Sequence, residues 1–129
     1  MKYFILLSLV LLTLNANHIN WYPDFDKAHK QALKENKKLM VLLIEKECAA
    51  CQKTIKTTFM NQIYLEEIND KFISVIVTKD QKSSYPIEMI YTFTYPSLFF
   101  LDNKELFVCE PIRGEVSPER LKSHLEQCR

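Results

Sequence analysis

Gly114 is the only glycine in this 129-residue chain. Glycines let a backbone close around phosphates in P-loops and dinucleotide-binding turns. Neither fingerprint can be written with one glycine, so nucleotide chemistry of those kinds is excluded. An excess of one charge is also missing: 17 Lys and Arg stand against 16 Asp and Glu. That balance leaves no electrostatic footprint for nucleic acid or an anionic membrane. The longest apolar run, Tyr3 to Leu14, is too short to cross a bilayer comfortably. Internal repeats, low-complexity tracts and long linkers are absent too.

Apolar residues make up 47% of the chain, enough for one domain with a real core. The N-terminus reads separately. Met1-Lys2 followed by the run from Tyr3 to Leu14 suits a secretory signal, with Ala16 as the last residue before cleavage. The expected organisation is a signal peptide over 1–16 and a folded domain over 17–129. Loss of Lys2 leaves that domain with equal numbers of basic and acidic residues. No cysteine lies near the cleavage site, so a lipoprotein anchor is not indicated. Export predicts a periplasmic or secreted protein with no stable membrane insertion once the signal is removed. It also places all four cysteines where disulfides persist.

Phe25, Ala28, His29, Ala32 and Leu33 recur at helical spacing, with acids at the start and Lys37-Lys38 at the end. Leu39 to Ile44 and Phe72 to Val77 are continuous apolar runs of strand length, the type covered on both faces. Cys51, Ile55 and Thr58-Phe59 continue a helix from Cys48. Asn61 can cap further turns carrying Ile63 and Ile68. Asp80 to Ser84 reads as a loop and Ile87 to Tyr91 as a short helix. Ser97 to Leu101 and Leu106 to Glu110 read as a hairpin across Asp102-Asn103-Lys104-Glu105. Ser117 and Pro118 open a last helix with Leu121, Leu125 and Cys128 inward. The expected class is α/β: a mixed central sheet of about four to five strands flanked by helices.

The chemistry concentrates in Cys48-Ala49-Ala50-Cys51, between a strand-like run and a helix-like stretch. A sulfur at a helix N-terminus meets unpaired N–H groups and the positive end of the dipole, which favour its thiolate. Cys48 is then the attacking thiol. Cys51, one turn on and on the apolar face, is the buried partner that closes on it. Two bland readings compete. A structural disulfide needs nothing more, and zinc needs about two further ligands. Cys109, Cys128, His18, His29 and His124 are available, but none forms a second close pair, so no metal is expected. Cys109 and Cys128 are either two buried thiols or a second bridge from the last strand to the last helix. The histidines read as surface or packing residues, and Trp21-Tyr22 as cover for the start of the sheet.

With Thr94-Tyr95-Pro96 some 45 positions past the cysteines, and Gly114 ahead of the last helix, the chain resembles the thioredoxin superfamily. Cys48 and Cys51, Thr58-Phe59, Asn69, Phe72, Val75 and Val77 are most similar to the periplasmic C-terminal domain of DsbD-type thiol reductases. The resemblance implies a thioredoxin-like fold and a cis bond before Pro96. It implies a substrate-binding edge at Tyr95 and Pro96 where a partner chain pairs like an extra strand. It implies a thiol:disulfide oxidoreductase, a reductant rather than an oxidant, acting on protein thiols and disulfides without a cofactor. A reductant outside the cytoplasm needs electrons, so a membrane thiol-electron transporter is the expected redox partner. Three departures stand out. Glu47 replaces the usual Trp, Leu42 the usual buried Asp, and Ile55 an acid of the DsbD-type domains. Glu45 and Glu47 oppose a thiolate at Cys48, whereas Lys46 and Lys53 favour it. The missing acid favours the alternative, a non-catalytic binding or chaperone module on the same scaffold. A copper carrier would pair C-x-x-x-C with a nearby histidine, which this spacing does not match.

Overall fold

A computed structural model of the chain describes residues 18–60, 62–80, 85 and 90–128. The expected signal peptide lies outside the described residues, as do most of the loop expected at 80–84 and of the short helix at 87–91. The described elements run β1 (Trp21–Tyr22), α1 (Phe25–Glu35), β2 (Lys38–Ile44), α2 (Ala49–Thr54), a π-helical turn (Ile55–Phe59), α3 (Gln62–Lys71), β3 (Phe72–Thr78), β4 (Ser97–Leu101), β5 (Ile112–Arg113) and α4 (Pro118–Gln127).

The five strands form one mixed sheet in the order β1-β3-β2-β4-β5. β2 lies parallel to β3 over its whole length, from Lys38 opposite Phe72 to Ile44 opposite Thr78. β4 pairs antiparallel on the other side, with Val41 opposite Phe99. Two parallel strands cannot be joined by a tight turn, so the chain between β2 and β3 crosses over through α2, the π turn and α3. That crossover carries the cysteine pair to the end of the sheet where β2 stops.

Both faces of the sheet are covered, which explains the unbroken apolar runs. Met40, Leu42, Leu98 and Phe100 pack with Phe59, Leu65, Ile68, Leu121 and Leu125 on one side. Leu39, Val41, Leu43, Val75, Val77 and Phe99 pack with Phe25, Ala28 and Ala32 of α1 on the other. The helix ends are chemically marked. The Asp24 side chain accepts from the backbone N–H of Asp26 at 2.9 Å, and Asn36 closes α1 in the left-handed region (φ 52°). Lys37 and Lys38 therefore fall past the helix, and Lys38 already belongs to β2. Ser117 accepts from the N–H of Arg120 at 3.2 Å, with Pro118 in the first turn of α4.

The hairpin expected at Leu106–Glu110 is corrected. Leu101 and Phe107 form only an isolated bridge, and the strand paired to β4 is Ile112–Arg113, set against Leu98 and Ser97. The Asp102 carboxylate accepts from the N–H groups of Lys104 and Leu106 at 2.8 and 3.0 Å, which widens the turn. Cys109 then leaves the ladder, bonded to Cys128 at the end of α4. Trp21–Tyr22, expected as cover, is an edge strand parallel to β3.

Candidate functional site

Cys48 sits where β2 has ended and α2 begins. It is the N-cap of α2, with extended backbone, and its Sγ accepts from the Cys51 N–H at 3.1 Å. The two sulfurs are bonded. Cys48 is partly exposed, whereas Cys51 is 1% exposed. The pair is therefore asymmetric: one sulfur is reachable from solvent and the other is sealed behind it.

A second segment meets Cys48 from across the site. Its Sγ lies 3.9 Å from the carbonyl oxygen of Tyr95, and the Tyr95–Pro96 bond is cis. Buried hydroxyls fix this loop. Thr92 Oγ1 accepts from the Thr94 N–H at 3.1 Å and lies 3.1 Å from Ser97 Oγ. Ser97 Oγ donates to the Thr94 carbonyl at 2.6 Å. Hydroxyls that are buried and mutually bonded hold a loop in one geometry, because breaking any of them strands a polar group.

A third segment closes the site. The Gly114 N–H donates to the Pro96 carbonyl at 2.8 Å, from a backbone at φ 91° that favours glycine. Two residues on, Val116 is clamped to the cysteine-bearing helix. Thr58 Oγ1 donates to its carbonyl at 2.5 Å, and its N–H donates to Thr54 Oγ1 at 3.4 Å. Lys53 and Glu115 add an exposed ion pair at 3.0 Å. Sequence reasoning placed Thr58 on the helix but missed this role. The available signal was the spacing: Thr54 and Thr58 fall on the buried face of Cys51, where a hydroxyl needs a partner. Thr58→Val removes the donor to a buried carbonyl at almost constant shape. It is expected to destabilise the fold by about 2 kcal/mol in urea unfolding, with Thr58→Ser retaining most of the stability. A Thr58→Val protein as stable as its parent would show that this bond does not clamp Val116 to the helix.

Glu47, immediately before Cys48, is exposed and holds a left-handed backbone (φ 55°). Lys53 is engaged with Glu115, so of the two lysines expected to favour a thiolate, one already has an acidic partner. Leu42 is completely buried on the sheet face packed with Phe59, where the resemblance would place a carboxylate. Burial raises the pKa of the Tyr95 phenol, opposed by the Lys79 ammonium 5.6 Å from its ring centre and reinforced by Glu45, Tyr85 and Asp80. Tyr95 therefore stays a neutral donor and does not supply a base.

Cys109 and Cys128 form the second disulfide, with Cα atoms 5.5 Å apart. Among the described residues, no group of three or more His, Cys, Asp or Glu side chains gathers to hold a metal ion. None of the described helices is long and apolar enough to cross a membrane.

The family model Thioredox_DsbH, described as a protein of unknown function, DUF255, matches residues 6–97. Spermatogenesis-associated protein 20 of Rattus norvegicus is 29% identical over 66 residues, which are 51% of this chain. The match spans 8% of that relative's length. Among solved structures, a thioredoxin from Thermus thermophilus is similar at TM-score 0.72 and 18% identity, over 84% of this chain and 85% of the other. The DsbH oxidoreductase is similar at TM-score 0.70 and 13% identity, over 90% and 88%. The oxidised C-terminal domain of DsbD from Neisseria meningitidis is similar at TM-score 0.61 and 22% identity, over 84% and 99%. At these identities the likeness is one of fold.

Proposed function

The chain belongs to the Thioredox_DsbH family, and from that premise we propose that it is an exported thiol:disulfide oxidoreductase that reduces protein disulfides. One observation carries the reading. A reachable Cys48 is bonded to a sealed Cys51 and lies beside the carbonyl of Tyr95.

In the reduced protein, the Cys48 thiolate attacks one sulfur of a substrate disulfide. A Cys48–substrate bond forms, the substrate S–S bond breaks, and the departing sulfur takes up a proton. Cys51 then loses its proton and attacks Cys48. The internal disulfide forms and the second substrate thiol is released. Two electrons and two protons pass to the substrate. A dithiol reductant must return them, and the proposed source is a membrane thiol-electron transporter. Tyr95 and Pro96 supply the edge along which the substrate backbone lies. The short apolar N-terminus supports export and a periplasmic or secreted location.

The buried Leu42 favours a second reading, a non-catalytic binding module with a structural disulfide. One experiment separates the two. Cys51→Ala leaves Cys48 unable to release a captured substrate. Expressed in an exporting cell, this variant is expected to accumulate mixed disulfides visible on non-reducing gels. Absence of adducts, together with no insulin reduction by the parent protein, would overturn the oxidoreductase and favour the binding module. Equilibration of the parent with glutathione then reads the direction: a reductant stays oxidised against buffers that reduce an oxidant. Intact mass of the exported chain, expected to begin at Asn17, checks the signal.

A further inference from the structure

Two aromatic side chains stand in water on the loop that leads into Tyr95. Phe93 is 87% exposed and Tyr91 is 54% exposed, and their rings meet edge to face with centres 5.0 Å apart. Exposed large apolar side chains need no explanation when scattered singly, but a packed pair on a fixed loop is different. The loop is not slack. The hydroxyls of buried Thr92 and Ser97 tie it between these two rings and Pro96, and Arg113 donates to the Tyr91 carbonyl at 2.9 Å. The rings are therefore held out by a bonded frame rather than left there by disorder.

The position carries the rest. The Tyr95 carbonyl is 3.9 Å from Cys48 Sγ, and Phe93 is two residues earlier. Two residues of extended chain span at most about 7 Å. A substrate strand laid along this edge with its cysteine at Cys48 repeats its side-chain direction every second residue. The chain bends from Phe93 to Pro96, which keeps Phe93 within about 7 Å of the Tyr95 backbone, the same reach that two residues give a substrate chain from its cysteine. We infer that Phe93 and Tyr91 form a specificity subsite for a large apolar or aromatic side chain two residues from the reactive cysteine of a substrate polypeptide. This inference rests on the exchange chemistry proposed above. It adds which disulfides are chosen.

The test uses the Cys51→Ala protein and two pairs of synthetic peptides, one pair for each side of the cysteine. Each peptide carries one cysteine as a mixed disulfide with thionitrobenzoate, and the members of a pair differ only in Phe or Ala two residues before the cysteine in one pair and two residues after it in the other. Cys48 attacks the peptide sulfur, the Cys48–peptide bond forms, and thionitrobenzoate leaves as a coloured thiolate. For one of the two placements, the phenylalanine peptide is expected to react about tenfold faster than its alanine partner, the discrimination one large apolar side chain supplies. Phe93→Ala is expected to abolish that ratio, and Phe93→Tyr to keep it. Ratios near one at both placements in the Cys51→Ala protein, or a ratio unchanged by Phe93→Ala, overturn the subsite. Failure of that protein to release thionitrobenzoate even from the free symmetrical reagent overturns the exchange reading beneath it, and that outcome is distinct from the other two.

Discussion

Replacing Cys48 with alanine is expected to lower disulfide exchange by about a thousandfold or more, because no second nucleophile can take its place. Cys51 is nearest in sequence, but it is 1% exposed and cannot meet a protein substrate. Cys109 and Cys128 are bonded to each other. The same asymmetry makes a second readout. After mild reduction of the Cys48–Cys51 bond, a small alkylating reagent is expected to modify Cys48 at least about tenfold faster than Cys51, since access and thiolate character both govern cysteine reactivity. The Cys48 sulfur is reachable and already accepts the Cys51 N–H, a bond that a thiolate strengthens. Peptide mapping after a timed pulse gives the ratio. Equal labelling, or exchange that survives Cys48→Ala, would falsify the assignment of Cys48 as the attacking group.

Removing the second disulfide is expected to cost roughly 3 kcal/mol and to lower the melting temperature by about 10 °C. The bond closes a loop with a sequence separation of 19. It joins the chain beyond β4 to the C-terminal end of α4, and Cys128 is sealed against the first core cluster. That loop contains Gly114 and Val116, the third segment of the site. Without the bond, the unfolded chain gains the freedom the loop denied it, while the folded contacts change little. A Cys109→Ala/Cys128→Ala protein followed by thermal unfolding measures the cost. An unchanged melting temperature would show that Val116 and the α4 core contacts hold the loop without it.

Much of this architecture is legible in the sequence. Leu39–Ile44, Phe72–Val77 and Ser97–Leu101 read as strands because a sheet covered on both faces needs apolar residues at consecutive positions. Their observed limits differ by at most one residue at an end. Ser117-Pro118 marked the start of α4 because capping is local chemistry. The strand read at Leu106–Glu110 failed for a reason outside its own residues. A short run pairs wherever a partner edge and the neighbouring bonds allow, and here Cys109 is committed to Cys128 while Ile112–Arg113 takes the edge of β4. Trp21–Tyr22 was too short to show alternation. Only its place beside Ser74 and Val75 makes it a strand.

The candidate site divides the same way. The sequence by itself determined the sulfur pair, its place after a buried strand, the proline across from it and the absence of a carboxylate at residue 42. Each of these is a matter of residue type and spacing along one stretch of chain. Tertiary structure decided that the Tyr95 carbonyl lies 3.9 Å from the Cys48 sulfur, and that Thr54 and Thr58 bind Val116 some 60 residues away. It also decided that Cys109 meets Cys128, and that Phe93 stands in solvent. The reason is that burial and pairing are properties of the space between elements, and that space exists only once the sheet has brought distant segments to the same end.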